Sequence, residues 1–411
     1  MAPAVSNRSR VTVPRVRVLR VITRLNIGGP SIQAIELTTR LADRGYDTLL
    51  VHGSPDAGEG DMRYLLEGRR PDRFAVRSVP FLRRRVAPID DVRAAAALFS
   101  LLRGFRPDVV HTHMAKAGTV GRIAALAYNR IVRATERARL VHTYHGHVHE
   151  GYFSPAKARV FAGIERLLAR RTDRIVAISP RIRSELVDQH RIGRPDQYRV
   201  VPLGFDLSAF AAIDDGARAA GRRALGLAAD RSVVTTVGRL TAIKQQRLFL
   251  ETAAALTRCG REIDFLIAGD GELRGELERT ARDLGVADRV RFLGWRRDLP
   301  TLYAATDVFL LTSRNEGTPV ALIEAMAAGS AGVSTDVGGV RDVVTDDRVG
   351  RVAAFGDVQA IADHVRTLID NPALRRGVAE AGRRHVLEQF NLDRLLDDID
   401  DLYHSLRRGD S

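Results

Sequence analysis

The 411-residue sequence has a single cysteine, Cys259, so no disulfide can form within the chain, and the usage fits a cytoplasmic protein. No run of about 18 uncharged apolar residues occurs, which predicts no membrane-spanning helix. The residues up to Pro14 carry arginines without an apolar core, so no secretory signal is expected. Neither a solenoid-length repeat nor a low-complexity block interrupts the chain. A full Gly-x-Gly-x-x-Gly dinucleotide turn is missing, and Gly269-Asp270-Gly271 matches it only in part. The one Asp-x-Asp, Asp398-Ile399-Asp400, falls in a predicted helix rather than at a strand end, a poor place for a metal–diphosphate site. Lysine is nearly absent as well: Lys116, Lys157 and Lys244 are the only lysines among 64 basic residues.

The charge that is present is uneven. Residues 1–200 hold 36 Lys and Arg against 18 Asp and Glu, whereas residues 201–411 hold 28 against 32. A basic half can face nucleic acid, anionic lipid or a phosphorylated acceptor, or it can simply reflect arginine-rich composition. Clusters stand at Arg69-Arg70-Arg73, Arg83-Arg84-Arg85 and Arg170-Arg171-Arg174.

Hydrophobic periodicity predicts two α/β domains. Val16–Ile22 alternates as a strand, turns at Asn26-Ile27-Gly28-Gly29-Pro30, and passes into a helical pattern through Ile32, Ile35, Leu37 and Leu41. Further strands are predicted at Thr48–His52, Val109–Thr112, Leu140–Thr143 and Arg174–Ile178, with helices such as Arg93–Leu102 between them. After Val200–Asp206 the pattern restarts, with strands at Ser232–Val237, Phe265–Ala268, Val290–Phe292, Val308–Leu311 and Ala331–Ser334. Helices are predicted at Leu248–Thr257, Leu273–Leu284 and Pro319–Ala328, and an acidic amphipathic helix, Leu392–Leu406, ends the chain. Strands alternating with helices mean parallel, doubly wound sheets. The expected division is a tail at 1–14, a first Rossmann-like domain at 15–203, a second at 204–385 and a terminal helical segment at 386–411, packing back on the first domain. Strand ends from both domains would meet at a central cleft.

Three clusters carry chemistry. In Ser313-Arg314-Asn315-Glu316-Gly317-Thr318-Pro319-Val320, Thr318 reads as an N-cap, Pro319 as the first helical residue and Gly329 as the stop. The amides of Gly317, Thr318, Val320 and Ala321 would then face a phosphate at the positive helix end. Glu324, about 7.5 Å along the helix at about 1.5 Å per residue, could reach the ribose, and Glu316 the sugar beyond the phosphates. The second cluster is Gly238-Arg239-Leu240-Thr241-Ala242-Ile243-Lys244, where Arg239 and Lys244 suit a diphosphate whose charge grows as it departs. The third is histidine: His111, His113, His142, His145, His147 and His149 crowd one segment. Close spacing suggests a metal site, but no clear cysteine or second carboxylate ligand accompanies it, and a partner role for a sugar hydroxyl is the better reading of His145.

Together these residues resemble the retaining glycosyltransferases of family 4, with the GT-B fold. The resemblance runs from Gly28-Gly29 to the terminal helix and rests chiefly on the Glu-x₇-Glu element, Glu316 to Glu324, after Asn-Glu-Gly-Thr-Pro. It implies that Glu316 binds the donor sugar, Glu324 the ribose, and Arg239 and Lys244 the diphosphate. Gly28, Gly29 and Gly269 would belong to the donor site with Gly317, Thr318, Pro319 and Val320, and His145 would contact the sugar. Val110–Gly118, His145-Gly146-His147 and Gly151–Pro155 look like bacterial members that build cell-surface polysaccharides and glycolipids. The sequence departs from the family's pattern at Ala242, where proline is usual, at Gln245-Gln246, and at Ser330-Ala331-Gly332. The Ala242 change is expected to leave its loop less stiff. The implied activity is retaining transfer from a nucleotide sugar, UDP-linked by first preference, to a glycan or lipid-linked acceptor. No metal, no cofactor and no nucleic-acid partner are expected, with an anionic membrane surface as an added partner of the basic half. The alternatives are a nucleotide-sugar epimerase or dehydrogenase on a similar fold, and a binding protein without turnover.

Overall fold

The computed structural model describes residues 15–55, 60–69, 72–146 and 155–408. It contains two sheets whose strands all pair in parallel. The first comprises β1 (Arg17–Arg24), β2 (Asp47–Gly53), β3 (Phe74–Ser78), β4 (Val109–His113), β5 (Arg139–Tyr144), β6 (Arg174–Ala177) and β7 (Tyr198–Val200), in the order β3-β2-β1-β4-β5-β6-β7. The second comprises β8 (Ser232–Val237), β9 (Ile263–Ala268), β10 (Val290–Gly294), β11 (Val308–Leu311), β12 (Ala331–Thr335) and β13 (Arg351–Ala353), in the order β10-β9-β8-β11-β12-β13. Strand order reverses at β1/β4 and at β8/β11, the two places where such sheets leave a crevice beyond their strand ends.

The central strands are continuous apolar runs because helices cover both faces: every residue of β4, β11 and β12 is buried. Three strands have no counterpart in the expected set: β3, β7 and β13. All three are sheet edges, and each is only partly buried, so none needs a long apolar run.

The expected terminal helix extends over Leu392–Arg408, two residues beyond the predicted end. Leu392, Leu395, Leu396, Ile399, Leu402, Tyr403 and Leu406 form its buried stripe at helical spacing. They pack with Val18, Leu37, Leu41, Val109, Val141 and Val176, so the last helix of the chain closes the first sheet. Arg394 fastens the crossing by donating from Nη2 to the carbonyls of Pro202 and Leu203, at 2.8 and 2.7 Å. The Asp-x-Asp pair lies within this helix, with Asp398 bonded to Arg394 and Asp400 to the Tyr46 hydroxyl. Among the described residues no helix is long and apolar enough to cross a membrane.

Candidate functional site

At the β8/β11 crevice the chain leaves β11 and enters the Val320–Ala327 helix. That helix starts one residue later than expected. Thr318 is not its N-cap and Pro319 is not its first residue; Pro319 itself is the N-cap, its carbonyl accepting from the amides of Leu322 and Ile323 at 3.1 Å each. With φ −78° and ψ 77°, Pro319 forms an inverse γ-turn, so the Val320 amide donates to the Thr318 carbonyl at 2.9 Å. The Val320 amide is thus spent inside the turn, contrary to the expectation that it faces a phosphate. The far end matches expectation: Gly329 has φ 84°, its amide reaches the Met326 carbonyl, and Ser330 N reaches Ala325 O.

Glu316 and Lys244, expected to serve different parts of a ligand, meet directly. Lys244 Nζ lies 2.6 Å from Glu316 Oε1, which also accepts from Ser313 Oγ at 2.5 Å. The loop is clamped from behind by Gly338 and Gly339, where a Cβ would fall 1.9 Å and 1.8 Å from the carbonyl oxygens of Glu316 and Gly317. Glu324 accepts from the Tyr303 hydroxyl at 3.1 Å. Burial raises the Glu324 pKa to about 7 against the lowering effect of that hydrogen bond.

Arg239 projects from the next loop, exposed and without a carboxylate partner among the described residues. Gly269 (φ 137°) sits where a Cβ would lie 1.9 Å from the Gly238 carbonyl, so its lack of a side chain lets the turns after β8 and β9 nest. The loop bearing Arg239 and Lys244 is held despite Ala242. Gln245 Nε2 donates to the Ala242 carbonyl at 2.7 Å, and buried Gln246 donates to the Arg239 carbonyl at 2.8 Å. The two glutamines thus supply the restraint that the missing proline was expected to cost. Gly332 leaves room for Leu322 and Met326, which would stand 2.9 Å and 3.3 Å from a Cβ there.

From the first domain, Gly28 (φ 155°) and Gly29 lie at the mouth of the crevice. A Cβ on Gly29 would come 2.7 Å from Leu203 Cδ1 and 3.8 Å from Val320 Cγ2, which places the glycine turn against the second domain's helix. His145 approaches the same loop, its carbonyl oxygen 3.5 Å from where a Gly317 Cβ would be. Arg181 also crosses, donating to the Gly338 carbonyl at 2.8 Å.

Below His145 runs a buried polar chain that the sequence reading missed. Arg20 Nη1 donates to Thr38 Oγ1 at 2.9 Å, and its Nη2 to the Tyr403 hydroxyl at 3.0 Å. The same hydroxyl lies 2.7 Å from His111 Nδ1, within hydrogen-bond distance. The other ring nitrogen of His111, Nε2, hydrogen-bonds with Thr143 Oγ1 at 2.7 Å. The His111 and His113 rings stack at 4.4 Å, and His113 and His145 at 5.2 Å, with His113 Nδ1 2.9 Å from His145 Nε2. Burial lowers all of these pKa values, that of His145 to about 3, so the rings are neutral. His142 turns away to Thr112 Oγ1, at 2.8 Å. His147 and His149 lie outside the described residues. Among the described residues no three His, Cys, Asp or Glu side chains converge as metal ligands. The signal for this chain was an arginine within the apolar strand Val16–Ile22, where only a buried partner could hold it.

Comparison with known proteins agrees with this architecture. A family model described as "Glycosyl transferase 4-like domain" matches residues 28–204, and one described as "Glycosyl transferases group 1" matches residues 218–385. The chain is 31% identical over 329 residues to the UDP-Gal:alpha-D-GlcNAc-diphosphoundecaprenol alpha-1,3-galactosyltransferase of Escherichia coli, covering 79% of this chain and 82% of that protein. It is 31% identical over 430 residues to a D-inositol 3-phosphate glycosyltransferase of Geodermatophilus obscurus, covering 96% and 90%. The fold is that of Anabaena HepE, crystallised with UDP, at a TM-score of 0.78 and 22% identity over 95% of this chain and all of the other. Both halves are matched by glycosyltransferase models, and the galactosyltransferase relative is matched over most of its length. The chain therefore belongs to the GT-B glycosyltransferases of the group 1 and family 4 type.

Proposed function

We propose that this glycosyltransferase uses a UDP-sugar and transfers the sugar, with retention, to a hydroxyl of a cell-envelope glycan or lipid-linked acceptor. Membership of the family disfavours the epimerase and dehydrogenase alternatives. The observation that carries the reading is the Lys244–Glu316 pair at the strand-order reversal, beside the start of the Val320–Ala327 helix. A cation for a diphosphate and a carboxylate for sugar hydroxyls stand side by side, as donor cleavage at the phosphate–sugar bond requires. The donor and acceptor classes draw support from the printed activities of the Escherichia coli relative and from the UDP complex of the structural neighbour.

In this scheme Lys244 and exposed Arg239 stabilise the departing diphosphate, Glu316 orients the sugar, and Glu324 takes the ribose hydroxyls. Gly28, Gly29, Gly317, Thr318 and Pro319 let backbone approach the phosphates, while Gly269 acts indirectly by nesting the Gly238 turn. Neutral His145 exchanges a hydrogen bond with a sugar hydroxyl. The acceptor hydroxyl attacks from the face the diphosphate leaves, a leaving phosphate oxygen takes its proton, and the protein supplies orientation and charge stabilisation. No metal or organic cofactor takes part. Incubation with UDP-sugars and an acceptor, with the proton coupling of the new linkage read by NMR, tests the scheme. An inverted product overturns the retaining assignment.

A peripheral position on anionic membrane, facing the cytoplasm, belongs to the same proposal. Arg83, Arg84 and Arg85 are exposed, beside exposed Val86, Ile89 and Val92. The Pro155–Ala169 helix exposes Val160 and Leu167, and Arg170 and Arg171 follow it, also exposed. The first arginine cluster does not contribute in the same way, since Arg69 is bound to Glu36 at 2.5 Å.

A further inference from the structure

At the opposite end of the first sheet from the crevice, a cavity of about 810 Å³ opens between the end of the Pro155–Ala169 helix and the chain that enters β7. Four arginines line it: Arg166, Arg170, Arg191 and Arg194. Arg170 lies a few residues before β6 and Arg194 a few before β7, so the cavity sits at the strand starts, whereas the crevice lies beyond the strand ends. The four residues of β6 alone hold the two apart by about 13 Å, at about 3.3 Å per residue.

In an arginine-rich chain clusters arise from composition, and helix C-termini attract cations, so the partners of these four residues decide their meaning. Arg166, Arg170 and Arg191 have no carboxylate partner among the described residues. Arg166 Nε donates to the His190 carbonyl at 2.7 Å, which fixes this side chain between helix and turn. Arg194 pairs with Asp196 at 3.2 Å, but the two side chains are 65% and 68% exposed, where such a pair is weak and easily exchanged. On the adjoining segment, Asp188 accepts from Ser184 Oγ at 2.6 Å, and Glu185 lies 3.6 Å from His190 Nε2.

The walls are preformed. Buried Gln197 donates from Nε2 to the carbonyls of Ala169 and Thr172, at 3.0 and 2.6 Å, and accepts from the Arg194 amide at 2.8 Å. The Tyr198 hydroxyl donates to the Ile192 carbonyl at 2.6 Å. Between these anchors Arg191 has φ 51°, a left-handed backbone that glycine adopts without strain. An arginine at this position accepts the strain and sets a guanidinium in the cavity lining.

We infer that this cavity binds a phosphomonoester or diphosphate group, at a site separate from the donor crevice and independent of the donor-site reading. Guanidinium forks match phosphate oxygens two at a time, and an anion among them offsets the repulsion between like charges. An anionic lipid headgroup and a soluble phosphorylated molecule present the same oxygens.

The test uses the full chain, with Lys244→Ala as background so that the donor crevice does not mask the result. Inorganic pyrophosphate is titrated by calorimetry into that variant alone, combined with Arg170→Ala and Arg191→Gly, and combined with Arg171→Ala, a change at an exposed arginine outside the lining. Glycine suits φ 51°, so circular dichroism of the cavity variant should match the parent. The cavity changes should raise the Kd for pyrophosphate by about 10-fold or more, the scale of losing hydrogen bonds to a charged group, and Arg171→Ala should leave it unchanged. Sedimentation with phosphatidylcholine vesicles, with and without phosphatidic acid, separates the two sources. Recovery on phosphatidic acid that falls with the cavity changes, and not with Arg171→Ala, assigns a lipid headgroup. A cavity-dependent pyrophosphate site with equal vesicle recovery assigns a soluble ligand. The inference is overturned if the cavity changes alter neither assay, or if Arg171→Ala loses as much as they do, which would show diffuse surface charge. UDP affinity should be the same with and without the cavity changes, so a failure of the donor-site reading would appear separately, as UDP binding unaffected by Lys244→Ala.

Discussion

Glu316 illustrates how much one atom can decide. Its Oε1 holds Lys244 and Ser313, so a Glu316→Gln variant replaces an ion pair with a neutral contact and leaves the Lys244 ammonium less compensated. The variant should fold and lose most transfer, measured as sugar incorporated into acceptor; parental turnover would remove Glu316 from the site. Arg239→Ala and Lys244→Ala should each lower kcat by about one to three orders of magnitude, the scale of removing one preorganised stabiliser of transition-state charge. A change confined to KM would show that they bind ground state and transition state alike.

Glu324 gives a pH dependence whose sign follows from its environment. Burial raises its pKa to about 7, so the free enzyme carries it largely protonated at pH 6 and largely ionised at pH 8. The ionised carboxylate is the form that accepts two ribose hydroxyls. UDP affinity should therefore rise with pH through about 7 and level off above it. The ligand's own phosphate titrates in the same region, so the quantity to read is the difference between parent and Glu324→Gln, by calorimetry at several pH values. Identical pH profiles for the two would show that Glu324 does not meet the nucleotide.

Among the elements, the core strands and long helices were legible because their burial demands an apolar pattern that a reader can count. The strand expected at Val308–Leu311 is found over the same four residues, and that at Ser232–Val237 over the same six. The edge strands β3, β7 and β13 escaped because one flank and part of each face meet solvent, which removes the demand. The start of the Val320–Ala327 helix was misplaced by one residue for a different reason. Proline is compatible with a first helical turn, but the same φ also fits an inverse γ-turn, and ψ, which the sequence does not restrict, made the choice. The Ala242 loop shows a compensation the sequence displayed without explaining: Gln245 and Gln246 looked like departures, yet they bond the loop's carbonyls. The terminal helix carries its own test. Ile399 is fully buried against the first sheet, so Ile399→Ala should destabilise the chain by about 2–5 kcal/mol, read as a lower urea midpoint. An unchanged midpoint would mean that the helix is not docked in solution.

For the whole molecule, the charge asymmetry makes a prediction about location. Each basic side chain near an anionic surface contributes about 1 kcal/mol within a Debye length of about 8–10 Å, so a few contacts give reversible, salt-sensitive binding. Sedimentation with anionic vesicles should exceed that with neutral vesicles and fall at high salt. Reversing Arg83, Arg84 and Arg85 to glutamate should weaken it without changing UDP affinity; equal recovery on both vesicle types would favour a water-borne acceptor. Transfer should also survive EDTA, since Asp398 and Asp400 are engaged by Arg394 and Tyr46 in the terminal helix. Loss on chelation with recovery on Mn²⁺ or Mg²⁺ would overturn the metal-free scheme.

By itself the sequence determined the two-sheet plan, because alternating apolar strands and amphipathic helices leave a parallel sheet few other ways to be covered. It also determined which loops carry glycine, carboxylate and cation, since those residue types stand at strand ends where the pattern breaks. Only the tertiary structure decided which of them touch. The Lys244–Glu316 pair joins loops 72 residues apart, and the Arg20–Tyr403–His111 chain joins the first strand to the last helix. Such contacts depend on strand order and on the docking of the terminal helix, and a side chain's own neighbours in sequence place no limit on the distant partner that the fold brings to it.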